Sequence, residues 1–285
     1  MTSCPRRRTF YSPFLDLERT GVEAASCCRS LGDGGIGGRG VARKAISLGK
    51  PILSITRVTK RFGGLVALSD LSLDVYEGEA VGLMGPNGAG KTTLISVVSG
   101  QYKPDRGRVA FEGRDIGGLP PHKVRRLGIA RTYQIPQPFG HLTALQNTAV
   151  AAMYGRGLGK AVAMAEAERI LDIVDLPGKR DVPAGNLEAL TLKRLELARA
   201  LASNPRLLLI DEVAAGLTEP EIPRFLDILK QVRSMGVTYI MIEHVLKVML
   251  EAVERVMVID GGSKIAEGTP HEVMQDEKVI RAYLG

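Results

Sequence analysis

The sequence predicts an α/β protein built on a mostly parallel sheet. Two observations carry this expectation. Short, fully apolar runs alternate with helical stretches, as in Leu207-Leu208-Leu209-Ile210, Thr238-Tyr239-Ile240-Met241-Ile242 and Val256-Met257-Val258-Ile259. Buried parallel strands read as continuous apolar runs because both faces are covered. The apolar run Ala80–Met84 then leads into a glycine-rich loop and a second apolar stretch, Thr92–Val98, that reads as a buried helix ending near Gly100.

The elements follow in order from Pro51. Ile52–Val58 is a partly alternating strand, and Leu71–Val75 alternates cleanly. Arg108–Phe111 reads as another strand. Residues 142–177, rich in Ala, Leu, Met and Glu, read as two or more helices, so a helical subdomain at roughly 135–187 interrupts the sheet. Residues 1–50 differ: Gly32–Gly40 is a flexible stretch and apolar periodicity is missing, so the segment reads as a disordered extension or as an upstream translation artefact. Arg6-Arg7-Arg8 is followed by no apolar core, which makes a poor secretory signal. Residues 51–285 form the domain.

Composition narrows the classes. The chain has 285 residues, 45% apolar and 24% charged, an ordinary globular profile. No run of 18 apolar residues exists, so any membrane role comes through partners. Net charge is +7, but residues 1–50 hold nine Lys/Arg and four Asp/Glu, leaving +2 for the rest. The nearly neutral body, without a basic stripe interleaved with aromatics, argues against nucleic acid. All three cysteines (Cys4, Cys27, Cys28) lie in the first 50 residues, so the body has neither a disulfide framework nor zinc spacing and suits a cytoplasmic protein.

The chemistry centres on Gly85-Pro86-Asn87-Gly88-Ala89-Gly90-Lys91-Thr92-Thr93, which fits the spacing G-x-x-x-x-G-K-[ST]. Glycines let backbone N–H groups wrap a phosphate, Lys91 reaches the β- and γ-phosphates, and the Thr92 hydroxyl ligates Mg²⁺. The following helix adds its positive end. Alone, the loop could be a turn without ligand.

Asp211-Glu212 follows the apolar strand 207–210, where a carboxylate lies beside such a loop: Asp211 as Mg²⁺ ligand, Glu212 as general base toward water. Otherwise they open an exposed loop. His244, two residues past strand 238–242, could contact the γ-phosphate and the water, or simply end a strand. Gln134 could ligate Mg²⁺ or water, or be a surface amide. Phe62 could stack on adenine, or be a core aromatic beside a turn.

The order Phe62, Gly85–Thr93, Gln134, Leu187–Leu201, Asp211-Glu212, His244 resembles the ATP-binding subunit of an ABC transporter over residues 51–285. Arg61–Leu65, Arg131–Gln134, Ala214–Leu217, Ile242–His244 and Ile280–Gly285 make it most similar to the ATPases of branched-chain amino acid importers. The resemblance implies a phosphate-loop NTPase core with a mostly parallel sheet, an antiparallel β edge and an inserted helical subdomain (the ABC ATPase fold). It implies ATP and Mg²⁺ as cofactors and a head-to-tail dimer sandwiching two ATPs. It further implies two membrane permease subunits, an external solute-binding protein, and a place on the cytoplasmic face of the membrane. A groove near Gln134–His141 would receive a short permease helix. An exporter ATPase, for lipids for example, and a soluble ABC-type ATPase are the rival readings.

One segment departs from the family. Its signature L-S-G-G-Q falls here on Leu187-Glu188-Ala189-Leu190-Thr191, with Glu188 at the serine position and both glycines replaced. A carboxylate repels a γ-phosphate, so one reading is an asymmetric dimer in which this segment supports the partner's ATP binding more than its hydrolysis, and the other is a relaxed subfamily signature with both sites working. Val213 replaces the usual proline and Thr218 an Asp that often closes the next loop.

Overall fold

The structure, a computed structural model, describes residues 49–284. The expected extension at 1–50 lies outside the described residues except for Gly49 and Lys50.

Two sheets organise the chain. The first is antiparallel, in the order β2-β1-β4-β5, from β1 (Leu53–Phe62), β2 (Leu65–Val75), β4 (Arg106–Phe111) and β5 (Arg114–Asp115). Leu53 pairs with both Val75 and Phe111, and register shifts interrupt β1 beyond Ile55. Such irregularities bend a strand and deepen its twist.

The second sheet has six strands, β10-β9-β3-β8-β7-β6. Its members are β3 (Ala80–Met84), β6 (Ile129–Arg131), β7 (Leu207–Asp211), β8 (Thr238–Ile242), β9 (Arg255–Asp260) and β10 (Ser263–Gly268). All neighbouring pairs are parallel except β9 with β10. β3, β7 and β8 are buried along their whole length, which accounts for their unbroken apolar sequences.

Helix α1 (Lys91–Val98) leaves β3 through the glycine loop. Leu94, Ile95, Val97 and Val98 share one core with Val81 and Leu83 of β3 and with Leu68, Leu71 and Leu73 of β2. Burying α1 against both sheets ties the antiparallel layer to the parallel one, through the helix that begins at the phosphate loop. Helix α2 (Pro121–Arg126) precedes β6, and between β6 and β7 lie α3 (Ala144–Arg156), α4 (Lys160–Ile173) and α5 (Ala189–Ala202). Thr143 and Gln146 start α3 with a reciprocal capping box, and Gly157 ends it in the left-handed conformation. Helices α6 (Ile222–Ser234), α7 (Leu246–Ala252), α8 (Pro270–Met274) and α9 (Glu277–Leu284) complete the chain. No helix among the described residues is long and apolar enough to cross a membrane.

Candidate nucleotide site

The carboxyl ends of β3, β7 and β8 meet at one edge of the parallel sheet, and part of the predicted set gathers there. Gly85 follows β3, Asp211 closes β7, and His244 lies two residues beyond β8. Parallel register pairs Asp211 with Ile242, which brings the two loops side by side. Such a crevice is where open α/β sheets bind ligands.

The loop requires its glycines. Gly85 has φ 146°, and a Cβ there would come within 2.0 Å of the Ile259 carbonyl oxygen. Gly90 has φ 107°, and its Cβ would come within 2.5 Å of the Ala67 carbonyl oxygen. Lys91 is buried and its Nζ donates to the Gly85 and Pro86 carbonyls at 2.6 and 3.0 Å. Burial lowers its pKa, against the opposing pull of the Glu212 and Asp211 carboxylates. Ala89 is buried, Pro86, Gly90 and Thr93 are half-buried, and Asn87, Gly88 and Thr92 are exposed, leaving the Thr92 hydroxyl open to a ligand.

Asp211 is 1% exposed. Its backbone N–H donates to Thr132 Oγ1 at 3.0 Å, and its Oδ2 accepts from Arg131 Nη2 at 3.0 Å. Its Oδ1 is buried with no hydrogen-bond partner among the described residues. Burial raises the Asp211 pKa, opposed chiefly by the Arg131 hydrogen bond. A buried acceptor without a donor is costly, and a hard cation would satisfy it. Among the described residues no His/Cys/Asp/Glu cluster forms a self-contained metal cage. Mg²⁺ takes one or two protein ligands and fills the rest with phosphate oxygens and water, so the orphaned Asp211 oxygen is the kind of donor it uses. The residues present therefore fit the ion.

Glu212 stands between two partners. Its Oε2 accepts from Gln134 Nε2 at 2.6 Å, and its Oε1 lies 3.0 Å from His244 Nε2. The His244 hydrogen bond is the first cause of a lowered Glu212 pKa, with burial opposing it and His244 charge, Gln134 and Lys91 assisting. The carboxylate is thus ionised at neutral pH. Its backbone lies at φ 51°, a conformation that costs a non-glycine residue about 1 kcal/mol and clusters at functional sites.

Phe62, at the end of β1, is 41% exposed and meets Tyr102 edge to face at 5.0 Å, with Lys60 Nζ 5.4 Å from its ring centre. It is no core aromatic. The segment Leu187-Glu188-Ala189-Leu190-Thr191 forms the entry to α5, with Glu188 as its N-cap, exposed and making no capping bond. It belongs to a different part of the chain from the loop. Thr218 instead caps the turn before α6, its Oγ1 donating to Glu221 Oε2 at 2.6 Å.

Sequence reasoning missed two cations. Arg131 is buried and reaches Ser96 Oγ (3.0 Å), Gln101 Oε1 (2.7 Å) and Asp211. A basic residue closing a buried strand was the available signal. Lys193 donates to the Glu212 and Ala215 carbonyls at 2.9 and 2.7 Å, linking α5 to the loop after β7. Nothing local announces that bond.

A glycine loop at the end of a central strand, a buried aspartate beside it and a glutamate held by an amide and an imidazole define an ABC-type ATP-binding cassette. Comparison with known proteins agrees. The family model "ABC transporter" matches residues 68–215, and "Branched-chain amino acid ATP-binding cassette transporter" matches 263–285. A probable branched-chain amino acid transport ATP-binding protein, LivG, of Archaeoglobus fulgidus is 39% identical over 245 residues, covering 82% of this chain and 95% of its own. The high-affinity counterpart BraF of Pseudomonas aeruginosa is 37% identical over 253 residues, covering 84% of this chain and 99% of its own. A solved ATP-binding cassette of an ABC transporter in its ADP conformation superposes with a TM-score of 0.74 at 31% identity, covering 83% of this chain and 100% of that one. A dimeric cassette bound to ADP and Pi gives 0.70 at 25% identity, covering 76% and 98%. The chain belongs to the ABC transporter family, among its ATP-binding subunits.

Proposed function

We propose that this chain is the Mg²⁺-dependent ATPase subunit of an importer for branched-chain amino acids. The observation that carries the hydrolytic part is the Glu212 carboxylate, ionised and fixed by Gln134 and His244 beside the phosphate loop. The relatives' names support the solute.

Gly88–Thr93 present backbone N–H groups and the start of α1 to the phosphates, while Lys91 leaves the Gly85 and Pro86 carbonyls for phosphate oxygens. Thr92, Asp211 and Gln134 would hold Mg²⁺, which when bound neutralises charge developing on the β- and γ-phosphates. Glu212 orients a water and takes its proton, and His244 steadies Glu212 and the γ-phosphate. Phe62 offers an exposed face for adenine.

A second copy, or a related subunit, would complete each site with its α5 entry in a head-to-tail dimer. Glu188 there carries negative charge toward the partner's nucleotide, so the partner's site hydrolyses more slowly than a serine-bearing one. Tyr133, Ile135 (74% exposed) and Phe139 form an apolar surface flanking Gln134, braced by Arg199, which donates to the Gln137 carbonyl and stacks over Phe139. That surface suits a short permease helix, which would hold the chain at the cytoplasmic face of the membrane. A solute-binding protein outside would complete the importer.

The test is co-purification with two permease subunits, reconstitution in vesicles and ATPase assay with the cognate solute-binding protein. Leucine, isoleucine or valine should raise turnover several-fold, and chelating Mg²⁺ should stop it. Stimulation by a lipid instead, or turnover indifferent to these amino acids, would refute the importer reading.

A further inference from the structure

We infer that Tyr283 is a positioning residue for the phosphate loop, so that helix α9 and bound nucleotide stabilise one another. The inference rests on the nucleotide reading of the loop. The Gly85 backbone N–H, first in the loop, donates to the Tyr283 hydroxyl at 2.7 Å. These residues are 198 positions apart, so only tertiary packing of α9 delivers the hydroxyl. Burial raises the phenol to about 12, against the opposing Gly85 N–H, so it remains a neutral acceptor at physiological pH.

The Gly85 peptide has three anchors. Its N–H has Tyr283, its carbonyl has Lys91 Nζ at 2.6 Å, and its α-carbon is pressed so close to the Ile259 carbonyl that no Cβ fits. When Lys91 turns to the phosphates, the carbonyl anchor is released, and Tyr283 and the Ile259 contact alone hold the base of the loop. The Tyr283 bond therefore matters more with nucleotide bound than without it. A contact with different worth in two states couples them, and the coupling is reciprocal. Helix α9 is a responsive element for such coupling: it has eight residues, and Val279 is its one fully buried side chain. Helices this short depend on tertiary contacts for their stability.

The test uses the full chain, ADP binding by calorimetry, and hydrogen exchange. Tyr283→Phe keeps the ring and removes the acceptor, and should weaken ADP binding by about three- to tenfold, the range for losing one hydrogen bond. The KM for ATP should rise while kcat changes less. Leu284→Ala, at an exposed neighbouring position, should bind as wild type does. In the wild-type chain, saturating ADP should slow exchange across residues 277–284. Tyr283→Phe binding ADP like wild type overturns the inference, as does exchange in α9 that ignores ADP. The exchange arm decides even if Tyr283→Phe does not fold. A wild-type chain that binds no ADP would sink the nucleotide reading itself, a distinct outcome.

Discussion

Glu212 is held rather than free, and that governs what its replacement should do. Glu212→Gln keeps the size and one acceptor of the side chain but cannot take a proton. Turnover should fall by about 10²- to 10⁴-fold, the usual worth of a positioned base, while ATP affinity stays within about threefold. Paired ATPase and equilibrium-binding measurements check this, and parallel losses in both would move Glu212 from catalysis to binding. Glu243, adjacent to His244, behaves differently. It is buried, accepts from the Ala214 N–H at 2.6 Å, and burial pushes its pKa up from 4.5 to about 7. Between pH 4.5 and 7 the folded chain keeps a proton that the unfolded chain releases. Its contribution is therefore complete below pH 4.5 and lost as pH rises through 7, by up to about 3 kcal/mol. Glu243→Gln keeps the acceptor without titrating, so the difference in Tm between variant and wild type should widen from pH 5 to 8 in the variant's favour. A constant difference would contradict the shift.

At the scale of elements, Arg131 joins three of them. From β6 it pairs with Asp211 on β7 and donates to Ser96 on α1, so one guanidinium ties the phosphate-loop helix to the carboxylate strand. Breaking a buried pair by removing one partner costs about 3–5 kcal/mol, because the remaining charge is stranded. Arg131→Met should lose that much in urea denaturation, and adding Asp211→Asn should restore part of it. If the double variant is no more stable than the single one, the ion pair is not what joins these elements. Much at this scale was legible in the sequence. β3, β7, β8 and the glycine loop were readable because both faces of these strands are buried and the loop's spacing is imposed by phosphate geometry. β10 and the pairing of β1 with β4 were not, since half-exposed strands carry mixed sequences that name no partner. In the site, Gly85–Thr93, Asp211, Glu212 and His244 were legible as residue types at the ends of apolar strands, whereas Gln134 was a candidate without a strand to place it. Arg131 and Lys193 were not, because a cation's carboxylate or carbonyl partner can lie anywhere in the chain.

At the scale of the molecule, the proposed dimer makes the site half of a functional unit. The α5 entry carries Glu188 exposed at a helix N-terminus, apart from the chain's own phosphate loop. In the proposed dimer that carboxylate faces the partner's γ-phosphate, although the helix dipole offsets some of its charge. Glu188→Ser should raise ATPase turnover of the dimer roughly tenfold, corresponding to relief of about 1.4 kcal/mol of repulsion in the transition state. The check is steady-state ATPase of the variant beside size-exclusion of the ATP-bound dimer. Unchanged turnover with normal dimerisation would mean that Glu188 leaves the partner's nucleotide alone.

The sequence by itself determined the nucleotide-binding loop, the class of fold and the carboxylates at the strand ends. Each depends on local rules: glycine for close backbone approach, apolar runs for buried strands, acidic residues where a strand meets a ligand. Tertiary structure alone decided that Gln134 and His244 each hold a different oxygen of Glu212, that Arg131 leaves one Asp211 oxygen without a donor, and that Tyr283 reaches back to Gly85. Those contacts join residues far apart in the chain, and their geometry exists only once the two sheets have closed on α1.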